Sequence, residues 1–189
     1  MTKTYESVPN TNINTRSRIY SLCAVALMTA VTCVLAPFSI PVGPVPISLT
    51  TLVIYISVYL LGWKMASLSC FVYILIGMAG LPVFSGFSGG PGKLAGPTGG
   101  YIIGFIPMAV IAGMMISHAK SRIVQFLAMA LGTAVCYVFG TAWFCVITDS
   151  GVAAAMSACV LPFIPGDIIK MAVALIICPE IKKSLKSAF

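Results

Sequence analysis

Residues 151–178 read GVAAAMSACVLPFIPGDIIKMAVALIIC, and the way this stretch divides decides the fold. It is apolar enough to lie in lipid and longer than the ~20 residues that one crossing needs. Pro162, Pro165 and Gly166 interrupt it. Each proline removes a backbone donor and pushes the residue before it out of the helical region, so one straight helix is excluded. The stretch is therefore read as a short interfacial helix at 152–160 followed by a span that begins at Pro165–Asp167 and runs to about Leu185. Asp167 then falls at a helix start.

Toward the N-terminus the same reading finds apolar runs at Ile19–Pro37, Pro46–Leu61, Met65–Leu81, Tyr101–Ser117 and Ile123–Ile147, separated by Pro, Gly and charge clusters of the kind that make turns. Pro46 can occupy the first turn of a helix without losing a needed hydrogen bond, and Trp63 and Lys64 supply an aromatic and a basic anchor at the end of that run. In the first run Ala36 is followed by Pro37, which signal peptidase sites avoid, so the segment is read as a retained anchor.

Composition agrees with residence in lipid. The chain has 189 residues, of which 8% are charged, where a soluble domain carries about 25%. Its hydrophobic share is 59% and its mean hydropathy +1.05. There is not enough polar surface to face water on all sides, so a soluble fold is excluded, and disorder, collagen and disulfide frameworks go with it. At ~20 residues per crossing the length leaves no surplus for a soluble domain, so any nucleotide hydrolysis belongs to another chain. The Gly92-Lys93 pair does not make a phosphate loop: Phe87 stands where the first glycine should, and Leu94 replaces the hydroxyl residue. The seven cysteines lack C-x-x-C spacing and lie in apolar stretches, as small hydrophobes do. No metal site is read from them.

The expected fold class is an all-α integral membrane protein with six transmembrane helices at 19–37, 46–63, 65–81, 101–117, 123–147 and 167–185, forming one domain over 19–186 after an N-terminal segment at 1–18. Orientation follows from the bases. With both termini cytoplasmic, the inner segments hold Lys3, Arg16, Arg18, Lys64, Lys120, Arg122, Lys182, Lys183 and Lys186, and the outer loops hold Lys93 alone. Topology thus accounts for the net charge of +7, and no nucleic-acid partner is needed.

Small residues recur at helix-packing spacing. Ala128, Gly132, Cys136 and Gly140 form a stripe expected to pack inside the bundle. Cys23, Ala26, Ala30 and Cys33 form another on the first span, which suits either internal packing or docking of a second membrane protein. The segment Gly80–Gly104 contains nine glycines in 25 residues and is too long for a mere turn. Its aromatics, Phe84, Phe87 and Tyr101, favour an ordered outer lid over 82–100.

Asp167 and Lys170 are three apart on one helical face. Insertion scales charge roughly 2.5–3.5 kcal/mol for each such group at mid-membrane, so the pair implies a polar cavity. Asp167 alone could be a helix cap, and Lys170 alone could snorkel outward. Together they mark a site. Asp149 and Glu180 read as solvated, and His118 as a surface residue. Four acids, three of them at loops or ends, supply no convergent catalytic set, so an intramembrane enzyme is not indicated.

Gly80-Leu81-Pro82-Val83-Phe84, Gly96-Pro97-Thr98-Gly99-Gly100-Tyr101 with Gly104-Phe105, and Leu161-Pro162-Phe163-Ile164-Pro165-Gly166-Asp167 with Lys170 together resemble the BioY family. These are the biotin-specific S components of energy-coupling-factor (ECF) vitamin transporters. The resemblance spans nearly the whole chain from Arg18. It implies an S-component-like six-helix bundle in the cell membrane that captures biotin from outside and joins a transmembrane coupling protein and two cytoplasmic ATPases. It also implies that Ala26 and Ala30 contact the coupling protein. One departure is that Ser48 and Thr50 follow Pro44-Val45-Pro46 where family members commonly carry Thr and then Gln.

Biotin as transported substrate asks for an acceptor for two ureido N–H groups, a donor for the ureido oxygen, apolar walls, and a cation for the carboxylate. Asp167 is assigned to the ureido N–H groups, Lys170 to the ureido oxygen or the carboxylate, Tyr101 and Phe84 to the walls, and Lys93 to the carboxylate or the lid. An S component for another vitamin and a solitary biotin transporter remain the alternatives.

Overall fold

The computed structural model describes residues 11–41, 44–119 and 121–188, with side chains between 18 and 184. Lys3 and Lys120, and the side chains of Arg16 and Lys186, lie outside the described residues. The elements are α1 (Thr11–Leu35), β1 (Ser39–Ile40), β2 (Ile47–Ser48), α2 (Thr50–Met78), α3 (Pro91–Ala95), α4 (Gly99–His118), α5 (Arg122–Thr148), α6 (Val152–Cys159) and α7 (Phe163–Ala188).

Four helical stretches are long and apolar enough to cross a membrane: Arg18–Leu35, Thr50–Met78, Gly99–His118 and Arg122–Thr148. A fifth arises if Val152–Cys159 and Phe163–Ser184, bent by 48°, are taken as one broken span. The bend falls at Val160–Pro162, where the first of the interrupting prolines stands. Pro165 then sits in the first turn of α7, where its missing N–H would have no helical partner anyway.

Within α2 the chain turns back on itself. Gly62 has φ 77 and ψ 172, a conformation open in practice to glycine alone. A straight helix would hold Thr50 and Tyr73 about 35 Å apart, yet Leu49, next to Thr50, lines one cleft with Gly86 and Phe87, on the loop whose Phe84 packs against Tyr73. Trp63, just past the elbow, packs against Gly113 near the far end of α4. The arms 50–61 and 63–78 therefore run antiparallel.

Pro46 does not open a helix as expected. It precedes β2, which pairs antiparallel with β1 in the register Ser39↔Ser48 and Ile40↔Ile47. Pro41 pushes Ile40, at the end of β1, toward the extended region, and Pro46 stands just before β2, so a small strand pair interrupts the otherwise helical fold.

The closest helix packing is between α4 and α5. A Cβ on Gly132 would stand 3.0 Å from the Ala112 Cβ, one on Gly104 3.1 Å from Cys136 Sγ, and one on Gly140 inside the Tyr101 ring. The stripe on α5 is thus spent on contact with α4, where close backbone approach replaces the hydrophobic drive that lipid removes. On α1 the buried face is instead Val25, Met28, Thr29 and Thr32. Thr29 reaches Ser69 Oγ at 2.9 Å, and Cys23, Ala26 and Ala30 are left on the exposed face.

The bundle has two chemically distinct ends. At one, the glycine-rich loop meets the β1–β2 hairpin and the start of α7. At the other, Arg122 and Lys182 line a cavity with the Gly62 elbow and the α4–α5 turn, and Lys64 follows the elbow in sequence.

Candidate functional site

The glycine-rich loop is ordered by contacts on three sides. Phe84 and Ser88 form an isolated antiparallel bridge, Gly86 N–H donates to the Pro37 carbonyl at 3.0 Å, and Gly90 N–H donates to the Gly77 carbonyl at 2.7 Å. Trp143 Nε1 on α5 donates to the Gly96 carbonyl at 3.0 Å. Phe84 is fully buried and lies edge-on to Tyr73 with centroids 5.5 Å apart. Its ring fills the space over Gly77, where a Cβ would come within 2.1 Å of it.

Beside this loop, α7 presents Asp167 and Lys170. Their ion pair measures 2.9 Å between Lys170 Nζ and Asp167 Oδ1, and Asp167 is 4% exposed. Lys170 does not snorkel outward; its ammonium also donates to the Ser48 carbonyl at 2.7 Å and to Thr51 Oγ1 at 3.1 Å. Thr51 Oγ1 in turn donates to Asp167 Oδ1 at 3.1 Å, and the Tyr137 hydroxyl donates to Oδ2 at 2.5 Å. Every ammonium proton has an acceptor and both carboxylate oxygens have donors, the condition under which a buried charge pair is tolerated. A second polar pair lies nearby on the same helices: Tyr55 donates to Thr133 Oγ1 at 2.5 Å, and Thr133 donates to the Met129 carbonyl.

Two clefts border the pair. A cleft of about 650 Å³ reaches Lys170 and is lined by Phe38, Ile40, Ser48, Phe87, Gly166 and Ile169 among others, a size typical of small-molecule sites. Phe38 and Phe87 meet edge to face over it, with centroids 5.5 Å apart. A smaller cleft of about 280 Å³ between α5 and α7 reaches Asp167 and Tyr137.

The structure thus brings Asp167 and Lys170 together but sets the other expected residues apart from them. Phe84 lines neither of these clefts, because it is spent on seating the loop over Gly77; Phe87 and Phe38 supply aromatic wall instead. Tyr101, at the start of α4, packs on Gly140, and its hydroxyl lies 3.3 Å from Thr141 Oγ1. Lys93 lies in α3, and among the described residues its ammonium makes no hydrogen bond or ion pair. Residues not singled out from the sequence complete the cluster: Thr51, Tyr137 and the backbone carbonyl of Ser48. The Thr50-Thr51 step at the start of an apolar run was a legible polar signal, whereas nothing in the local sequence distinguishes Tyr137.

With this geometry in place, comparison with known proteins decides the family. Residues 7–187 match the BioY family. The chain belongs to that family. Among BioY relatives, the "Probable biotin transporter BioY" of Pyrococcus horikoshii is 40% identical over 158 residues, 84% of this chain and 93% of the relative. The "Biotin transporter BioY" of Thermotoga maritima is 37% identical, covering 86% of this chain and 95% of the relative. A solved structure described as the "Crystal structure at 2.1 A of the S-component for biotin from an ECF-type ABC transporter" superposes with a TM-score of 0.81 at 27% identity, over 94% of this chain and 95% of the other. The chain, with its long apolar helices and biotin-transporter relatives, is a multi-pass protein of the cell membrane.

Proposed function

We propose that this chain is the biotin-binding S component of an ECF-type vitamin transporter, and that Asp167 and Lys170 form the heart of its substrate site. The observation that carries the reading is the buried pair on α7, reached by an aromatic-walled cleft beneath the ordered loop. Asp167 offers acceptors to the two ureido N–H groups of biotin, and Lys170 offers a donor to the ureido oxygen or the carboxylate. Thr51 and Tyr137 hold the carboxylate in position until ligand N–H groups compete for it.

In this reading 82–100 is the outer lid. Phe84 anchors it from below, Tyr101 bounds the site on the α4 side, and Lys93 meets the carboxylate or secures the lid. Counting the arms of α2 separately, with α7 as the final span, makes six crossings. The bases at the elbow end then face the cytoplasm, in keeping with the positive-inside bias, and both termini lie there. Ala26 and Ala30, exposed on α1, form the docking surface for the coupling protein, which brings two ATPases. The chain itself captures and delivers biotin and catalyses no reaction.

Titration of biotin into the purified protein and its Asp167→Asn and Lys170→Ala variants tests both parts. The parent is expected to bind tightly and each variant to bind at least about tenfold more weakly, as expected when one partner of a charged hydrogen bond is lost. No affinity in the parent removes the functional reading. Tight binding in parent and variants alike removes the site assignment alone.

A further inference from the structure

The end of the bundle opposite the ion pair carries a cavity that neither Asp167 nor Lys170 lines. It measures about 470 Å³; Arg122, Gln125 and Lys182 give it a polar lining, and Leu61, Ile116 and Pro179 an apolar one. It lies between the Gly62 elbow of α2, the start of α5 and the late turns of α7. The Tyr59 hydroxyl donates to Gln125 Oε1 at 2.9 Å, and Gln125 Nε2 donates to the Ala119 carbonyl at 3.2 Å, so this part of the lining is held in shape by its own hydrogen bonds.

The charges at the cavity are unbalanced. Among the described residues the single ion pair is Asp167–Lys170, at the other end of the molecule. Arg122 donates to the Leu175 carbonyl, a neutral partner, and Lys182 makes no ion pair. Glu180 lies on the same helix but does not border the cavity. Two cations without a carboxylate, at a helix end in a membrane protein, define a place for an anion. Leu61, Ile116 and Pro179 add an apolar lining to the same cavity, for which a small soluble anion would have no use.

We propose that this cavity seats the phosphate of an anionic phospholipid, with Arg122 and Lys182 on the headgroup and Leu61, Ile116 and Pro179 against the glycerol and first acyl carbons. Basic pockets between membrane helices recognise lipid headgroups in this way. The proposal rests on the membrane location of the chain and is independent of biotin binding.

Native mass spectrometry of the full chain tests it, after equilibration with phosphatidylglycerol and phosphatidylcholine of identical acyl chains. The parent is expected to retain phosphatidylglycerol in preference. Arg122→Gln and Lys182→Gln should each lower that retention about fivefold, and together about 30-fold, from the usual contribution of one basic residue near an anionic surface. Arg122→Lys, which keeps the charge, should retain the lipid. Lys182→Gln touches an exposed side chain without a bond to lose, so its fivefold effect decides the matter even if loss of the Arg122–Leu175 contact unfolds the protein. Equal retention of both lipids overturns the proposal, as does undiminished phosphatidylglycerol in the Lys182→Gln variant. Displacement of the lipid by millimolar inorganic phosphate would assign the cavity to a soluble anion and overturn it too.

Discussion

The Tyr137 hydroxyl donates a 2.5 Å hydrogen bond to Asp167 Oδ2 across thirty positions of sequence, and thereby fixes the rotation of the one buried acid among the described residues. Tyr137→Phe removes this charge-assisted bond and leaves that oxygen without its donor. Stability is expected to fall by about 1.5–3 kcal/mol. Biotin affinity should fall with it, because the carboxylate is no longer aimed. Thermal unfolding in detergent and biotin titration read the two effects, and a variant indistinguishable from the parent in both would show that Tyr137 positions nothing.

Asp167→Asn strips Lys170 of its counter-charge while the ammonium stays buried among Ser48, Thr51 and α7. Breaking a buried pair from one side costs about 3–5 kcal/mol, whereas replacing both partners by apolar groups is often neutral. The double variant Asp167→Leu with Lys170→Met is therefore expected to recover most of the stability lost by Asp167→Asn and none of the biotin affinity. Denaturation curves and titrations of the three proteins form the comparison; recovered binding in the double variant would contradict the site assignment.

Gly77→Ala places a Cβ within 2.1 Å of the Phe84 ring. Over-filling of a tight core costs about 1–3 kcal/mol, and here the displaced group is the anchor of the loop at 82–100. Limited proteolysis should cut that loop faster in the variant than in the parent. Combining Gly77→Ala with Phe84→Leu, which frees room for the methyl, should restore part of the resistance; an unchanged cleavage rate in Gly77→Ala would mean that the loop is held by its backbone bonds to Pro37 and Gly77 without help from Phe84.

Ala26→Trp with Ala30→Trp adds bulk on an exposed face of α1 without touching the buried Val25–Met28–Thr29–Thr32 face. Biotin binding by the purified protein should be unaffected while uptake into cells is abolished. Copurification of a coupling protein with the variant would place the docking surface elsewhere.

Much of this was legible in the residues themselves. The split at Pro162–Pro165, the packing stripe on α5 and the spacing of Asp167 and Lys170 depend on local backbone chemistry and helical period, which a linear chain displays. The β1–β2 hairpin was missed because prolines in an apolar run suit a helix start as well as extended pairing. That Phe84 packs over Gly77 depends on how the loop folds back onto α2, which no linear feature displays.

From its sequence alone this protein is determined to be a membrane-embedded helical bundle with one opposite-sign pair set a turn apart, since charge-poor composition and proline position act through solvent and backbone. Which groups complete that pair was decided only by the tertiary structure. Ser48, Thr51 and Tyr137 lie on other elements, and the requirement that buried charges find partners is met by whichever side chains and carbonyls the folded helices bring within 3 Å or so.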